Sequence, residues 1–98
     1  MYARVSTYQG TAEDYDQGAE RIKSDLVPRL QAIAGCKGIL SMVDRSTGRS
    51  LSIALYDDEG ALTSSREQAD RLRSEAADST GSKVNDITEY EVGVIEMF

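Results

Sequence analysis

Tyr15, Ala19, Ile22, Leu26, Leu30 and Ile33 recur along the chain at steps of four, three, four, four and three. That spacing follows the turn of an α-helix and collects the apolar side chains into one stripe, so a long amphipathic helix with a single buried side is expected. Thr11 marks its start, because the hydroxyl can accept a free backbone N–H of the first turn, and Asp14 stands three residues on, close to a capping box. Pro28 falls inside the stripe. It has no N–H and crowds the carbonyl four residues back, which predicts a kink between Ser24 and Pro28. Gly35 follows the last stripe residue and suits the left-handed conformation that closes a helix. A helix with one apolar side needs a layer to lie on, and the flanking segments provide it.

Tyr2 to Gln9 alternates, with Tyr2, Arg4, Ser6 and Tyr8 facing one way and Ala3, Val5 and Thr7 the other. Gly38 to Asp44 reads as a second strand, with Leu40 and Met42 on one face and Ile39 and Val43 on the other. Arg45-Ser46-Thr47-Gly48 is a polar hairpin loop. The third strand, Ser50 to Tyr56, places Leu51, Ile53 and Leu55 opposite Ser50, Ser52, Ala54 and Tyr56. A second helix carries Leu62, Ser65, Ala69, Leu72 and Ala76 inward, with Arg66, Glu67, Asp70, Arg71, Arg73 and Glu75 toward water. Ser79 to Ser82 is a loop, and Ile87 to Met97 a last strand with Gly93 inside it as a bulge. The order β-α-β-β-α-β is the ferredoxin-like arrangement: an α+β fold, one domain over residues 1–98, with a four-stranded antiparallel sheet and both helices on one face.

In such a sheet the uncovered face should be polar. Here strands two and four carry apolar residues on both sides, so the open face calls for a cover, and a second copy of the same chain is the economical one. A homodimer through the open sheet face is therefore expected.

Composition removes several functions. The chain has no His, which excludes a His general base, a Ser-His-Asp triad, a His-ligated haem and the usual zinc sites. The net charge is −6, with 11 basic residues scattered among 17 acids, so neither nucleic acid nor an anionic membrane is an expected partner. No apolar run approaches the ~18 residues of a membrane span. The start MYARVSTYQG has no apolar signal core, and Cys36 is the single cysteine, so a reducing, cytoplasmic location follows by default.

The run LVPRLQAIAGCKGIL, from Leu26 to Leu40, resembles the helix–Pro–Gly–strand junction of the dimeric α/β-barrel superfamily, and within it the antibiotic-biosynthesis-monooxygenase-like domains. Pro28, Gly35 and Gly38 match that junction, and Tyr56-Asp57-Asp58-Glu59 with Ala61 resembles the aromatic-then-acidic turn after the third strand. The resemblance implies a dimeric barrel with a ligand pocket between the helices and the sheet. It also implies a cofactor-free monooxygenase acting on a small aromatic or polyketide-like substrate, or else a non-catalytic barrel that binds a small apolar or aromatic ligand or serves in assembly. The haem-degrading and His-dependent isomerase branches are excluded. The family's Trp position is Tyr56 here, and the only Asn is Asn85.

The candidate pocket residues are Tyr8, Tyr15 and Tyr56, with Arg4 as a charge partner, and Gly18, which sits on the inner stripe where glycine costs about 1 kcal/mol relative to alanine. Gly18 means either close packing of helix on sheet or room for a ligand, and a filled space behind it favours the non-catalytic barrel. No catalytic residue is assigned. Asp57, Asp58 and Glu59 read as a helix start rather than a metal site, with Asp58 as N-cap. Cys36, with no His to activate it, reads as a small packed residue.

Overall fold

The stripe, the caps and the alternating segments fold in the expected order in a computed structural model that describes residues 1–98. The elements are β1 (Tyr2–Gln9), α1 (Ala12–Arg21), a π-helical turn (Ile22–Leu26), α2 (Val27–Gln31), β2 (Cys36–Val43), β3 (Arg49–Tyr56), α3 (Glu59–Ser64), α4 (Arg66–Thr80) and β4 (Lys83–Glu91). The strands form one antiparallel sheet in the order β2-β3-β1-β4, which is the ferredoxin-like α+β architecture. No helix is long and apolar enough to cross a membrane.

The Thr11 hydroxyl accepts the Asp14 N–H at 3.1 Å and opens α1. The kink before Pro28 takes the form of the π turn, in which the Val27 N–H donates to the Ile22 carbonyl five residues back. A widened turn relieves the proline ring's crowding of the preceding carbonyls. Leu26 and Ile33 from this arm pack with Ala54, Tyr56, Leu62 and Leu72 as the core. Gly35 has φ +80 and turns the chain into β2.

Two elements differ from expectation. The second helix is in two pieces, because the Leu62 carbonyl accepts the Ser65 hydroxyl at 2.9 Å and an Arg4 N–H at 2.8 Å, so the chain turns at Ser65 before α4 begins. The last strand is Lys83–Glu91, not Ile87 to Met97. β1 is its only partner, and the pairing runs from Gln9 opposite Lys83 to Tyr2 opposite Glu91. Beyond that the Val92 N–H reaches the Met1 carbonyl at 2.9 Å and pairing ends. Gly93 therefore lies outside the strand and makes no bulge. The irregularity sits instead between Thr7 and Tyr8, opposite Asp86 and Val84, where Asn85 is the extra residue. Val94, Ile95, Met97 and Phe98 are exposed.

The register makes the sheet's polarity unusual. Arg4, Ser6, Ser41, Ser52 and Tyr56 lie on the face under the helices. Leu40 and Met42 of β2, paired with Ile53 and Leu51 of β3, lie on the other, as do Val5 of β1 and Tyr90 of β4. Leu40, Met42 and Tyr90 are 51%, 47% and 53% exposed. The uncovered face is thus the apolar one.

Candidate functional site

Alternation along β1 and β3 aims Arg4, Ser6, Tyr8 and Tyr56 at the helices, and a partly open cavity of about 90 Å³ lies between them. Ile22 and Leu26 of the π turn, Leu30 of α2, and Ala69, Leu72 and Arg73 of α4 form its other wall. None of its lining residues is acidic, in a chain whose net charge is −6.

Arg4 is buried at 3% exposure and uses its whole fork. Nη1 donates to the Tyr56 hydroxyl at 2.9 Å, Nη2 to the Leu62 carbonyl at 2.8 Å, and Nε and Nη2 to Glu89 Oε2 at 3.2 and 3.0 Å. This settles the charge of the buried guanidinium and fixes the bend between α3 and α4. Tyr56, wholly buried, accepts from Arg4, so its own O–H proton is left to donate. The Tyr8 hydroxyl pairs with Ser52 Oγ at 3.1 Å.

Arg4, Tyr8 and Tyr56 line the cavity; the other two candidates do not. Tyr15 stands one residue outside it, its hydroxyl 2.7 Å from the lining residue Ser41. Gly18 makes no room for a ligand. A Cβ there would sit 2.4 Å from the Ser79 carbonyl oxygen, so the glycine lets α1 lie directly against the last turn of α4. It packs helix on helix rather than helix on sheet. The filled space behind it does not separate the two functional readings, because the cavity lies elsewhere.

Arg73, expected toward water, is turned inward. It faces the sheet at 8% exposure, with Nε donating to Ser6 Oγ at 3.0 Å and Nη1 to Asp70 Oδ1. The signal was present: Ala69 four residues before and Ala76 three after put position 73 on the inner stripe, beside side chains small enough to leave an arginine space.

The acids after β3 diverge. Asp57 pairs with Lys37 at 3.5 Å, Asp58 Oδ1 accepts the Ala61 N–H at 2.8 Å as the N-cap of α3, and Glu59 takes the Tyr2 hydroxyl at 3.4 Å. No group of three His, Cys, Asp or Glu side chains is placed to hold a metal ion. Cys36 is half-buried against the core, and burial pushes its thiol pKa up, away from a reactive thiolate.

Glu89 is held below the usual carboxylate range, first by its hydrogen bond from Arg66 and then by Arg4, against the opposing effect of burial. A depressed folded-state pKa contributes stability that is present above the unfolded value of about 4.3 and lost as pH falls through the folded value. Urea midpoints of Glu89→Gln and the parent chain are therefore expected to differ most near neutral pH and to converge as pH falls through the lowered folded value. A gap that stays constant with pH refutes the coupling.

Sequence comparison relates the chain to uncharacterised proteins of Mycobacterium tuberculosis. One, from strain H37Rv, is 30% identical over 95 residues, covering 97% of this chain but 42% of the relative. A second from the same strain is 31% identical over 77 residues, 79% of this chain and 33% of that protein. The chain thus spans less than half the length of the curated relatives it matches. No protein-family model matches it. Among solved structures, a candidate antibiotic biosynthesis monooxygenase of Deinococcus radiodurans superposes with a TM-score of 0.69 at 20% identity, over 100% of this chain and 99% of that one. A dimeric ferredoxin-like protein from an uncultured marine organism gives 0.69 at 14%, over 100% of each chain. A monooxygenase from the gene ActVA-Orf6 of Streptomyces coelicolor, in complex with nanaomycin D, gives 0.67 at 10%, over 99% of this chain and 92% of that one. At these identities the likeness is one of fold, and it is the fold that the Leu26–Leu40 junction implied.

Proposed function

We propose that this ferredoxin-like chain, which shares the fold of the antibiotic-biosynthesis-monooxygenase-like proteins, is a homodimeric, cofactor-free monooxygenase for a small enolisable aromatic compound. The observation that carries the reading is the buried Arg4–Tyr56 hydrogen bond in the wall of a cavity that is mostly apolar and lined by no carboxylate.

The chemistry needs little more. Tyr56 donates to the substrate's carbonyl oxygen, and Arg4, hydrogen-bonded behind it, makes the phenol a stronger donor as negative charge builds up there. The loss of a C–H proton to water then leaves an enolate. The enolate passes one electron to O₂, and the radical pair joins to form a C–O bond and a hydroperoxide. Loss of the second C–H proton and departure of hydroxide give a ketone and water. One CH₂ and one O₂ thus become one C=O and one H₂O. The fold shared with the Streptomyces coelicolor monooxygenase supports this reading.

The cavity's volume favours a second reading. At about 90 Å³ it is below the ~300–1,000 Å³ of ordinary ligand pockets, which suits a barrel that binds a smaller molecule without chemistry. A tricyclic substrate requires the wall formed by Ile22 and Leu26 to move outward, and π turns often mark functional sites in helices. Oxygen uptake with an anthrone separates the two readings. Monooxygenase activity predicts consumption of one O₂ per anthrone, and Tyr56→Phe is expected to slow it by about 100-fold or more, as when an oxyanion-hole donor is removed. Uptake no faster than autoxidation in both proteins leaves the binding barrel.

A further inference from the structure

We infer that Arg73 and Ser6 form an anion-anchoring pair in this cavity, and that the molecule bound there carries a carboxylate. The inference rests on the cavity being the ligand site, as proposed above, but not on its being an oxygenase.

Arg73 is more than nine-tenths buried as a residue, but its Nη2 donates to no group in the chain and, since no buried side-chain nitrogen lacks a partner, keeps an opening to solvent. Arg4 makes the contrast: all three of its nitrogens are engaged. The charge balance differs as well. Arg4 faces Glu89, whose side chain is 26% exposed, whereas the carboxylate beside Arg73, that of Asp70, is 67% exposed and well solvated. A guanidinium on the sheet-facing stripe of α4, where leucine or methionine would pack at lower desolvation cost, thus keeps a spare planar donor that a ligand can take over from solvent. Ser6 adds to it. Its oxygen accepts from Arg73 at 3.0 Å, so its hydroxyl proton has no claim from that bond. An N–H and an O–H side by side match the two oxygens of a carboxylate.

The placement narrows the ligand further. Ser6 and Arg4 are two residues apart on the same face of β1, roughly 7 Å along the strand. The anion-anchoring pair and the Arg4–Tyr56 pair thus stand at neighbouring positions along one strand and line the same cavity. An aromatic acid with a carboxylate at one end and a carbonyl or hydroxyl at the other reaches both, and the open side of the cavity accommodates what projects beyond it.

Calorimetric titration with benzoate, benzamide and benzyl alcohol tests this, since none of them needs to be oxidised. Benzoate is expected to bind the parent chain about 10-fold or more tighter than benzamide, from charge-assisted hydrogen bonds. Arg73→Met should abolish that preference while leaving benzyl alcohol unaffected, and Arg73→Lys should restore part of it. Should Arg73→Met fail to fold, the guanidinium NMR signals of Arg73 in the parent chain must shift on adding benzoate and not on adding benzamide. Equal binding of benzoate and benzamide, a preference that survives in Arg73→Met, or no benzoate binding at all overturns the inference. Anthrone oxidation by the parent chain, together with a benzoate preference that Arg73→Met loses, leaves both readings standing. Benzoate selectivity without oxygen uptake keeps this one alone.

Discussion

Gly18→Ala is expected to lower the stability of the domain by about 3 kcal/mol or more, the upper end of the range for overpacking. The direction is the opposite of the ordinary rule, since alanine is the better helix residue by about 1 kcal/mol. An ideal Cβ at Gly18 lies 2.4 Å from the Ser79 carbonyl oxygen, 2.7 Å from its carbon and 2.8 Å from Thr80 Cγ2. Two of those three atoms are backbone in the last turn of α4 and cannot swing aside as a flexible side chain can. The same turn is tied to α1 by Arg21, whose Nη1 donates to Ser79 Oγ at 2.7 Å. Relief then requires α1 to lift from α4 or the end of α4 to unwind. Urea unfolding measures the result as a lowered midpoint with an unchanged slope. A midpoint equal to or above the parent's refutes close packing as the reason for this glycine.

Gly18 also shows what was legible in the sequence and what was not. Its position on an inner stripe follows from period alone, but what it touches does not. The touching residues, Ser79 and Thr80, are some sixty positions away in a segment that reads as loop. Thr11 and Asp58 were legible as caps because the bond each makes is local. Pro28 announced its kink for the same reason. Alternation in the last segment was misleading past Glu91. It reports which side chains share a face, while a strand also needs a partner, and β1 ends at Tyr2. For Arg73, charge points outward and helical phase inward, and phase wins. Its neighbours Ala69 and Ala76 carried the better signal. Of the site, Arg4, Tyr8 and Tyr56 were accessible from strand alternation, whereas the arginine that meets them from a helix required the fold.

The open sheet face yields the other large effect. Leu40→Glu is expected to convert a dimer into a monomer of 10.7 kDa in light scattering at micromolar concentration. Leu40 is 51% exposed and sits opposite Ile53, near Met42, Leu51 and Val5 and with Tyr90 at the far edge, on a face that no element of the chain covers. A face of this kind, behind a sheet whose helix-covered side holds the arginines and serines, has the polarity of an interface rather than of a surface. In a two-fold pair of stacked sheets, about 10 Å apart, each substitution occurs twice and places two carboxylates in one apolar layer. Leaving a buried charge without a partner costs about 3–5 kcal/mol, so the dimer should weaken by roughly 10³-fold or more. Leu40 is not among the residues that line the cavity, so Leu40→Glu should keep its helical circular dichroism. A parent chain that is already monomeric, or a Leu40→Glu variant that remains a dimer, means that some other partner covers this face or that none does.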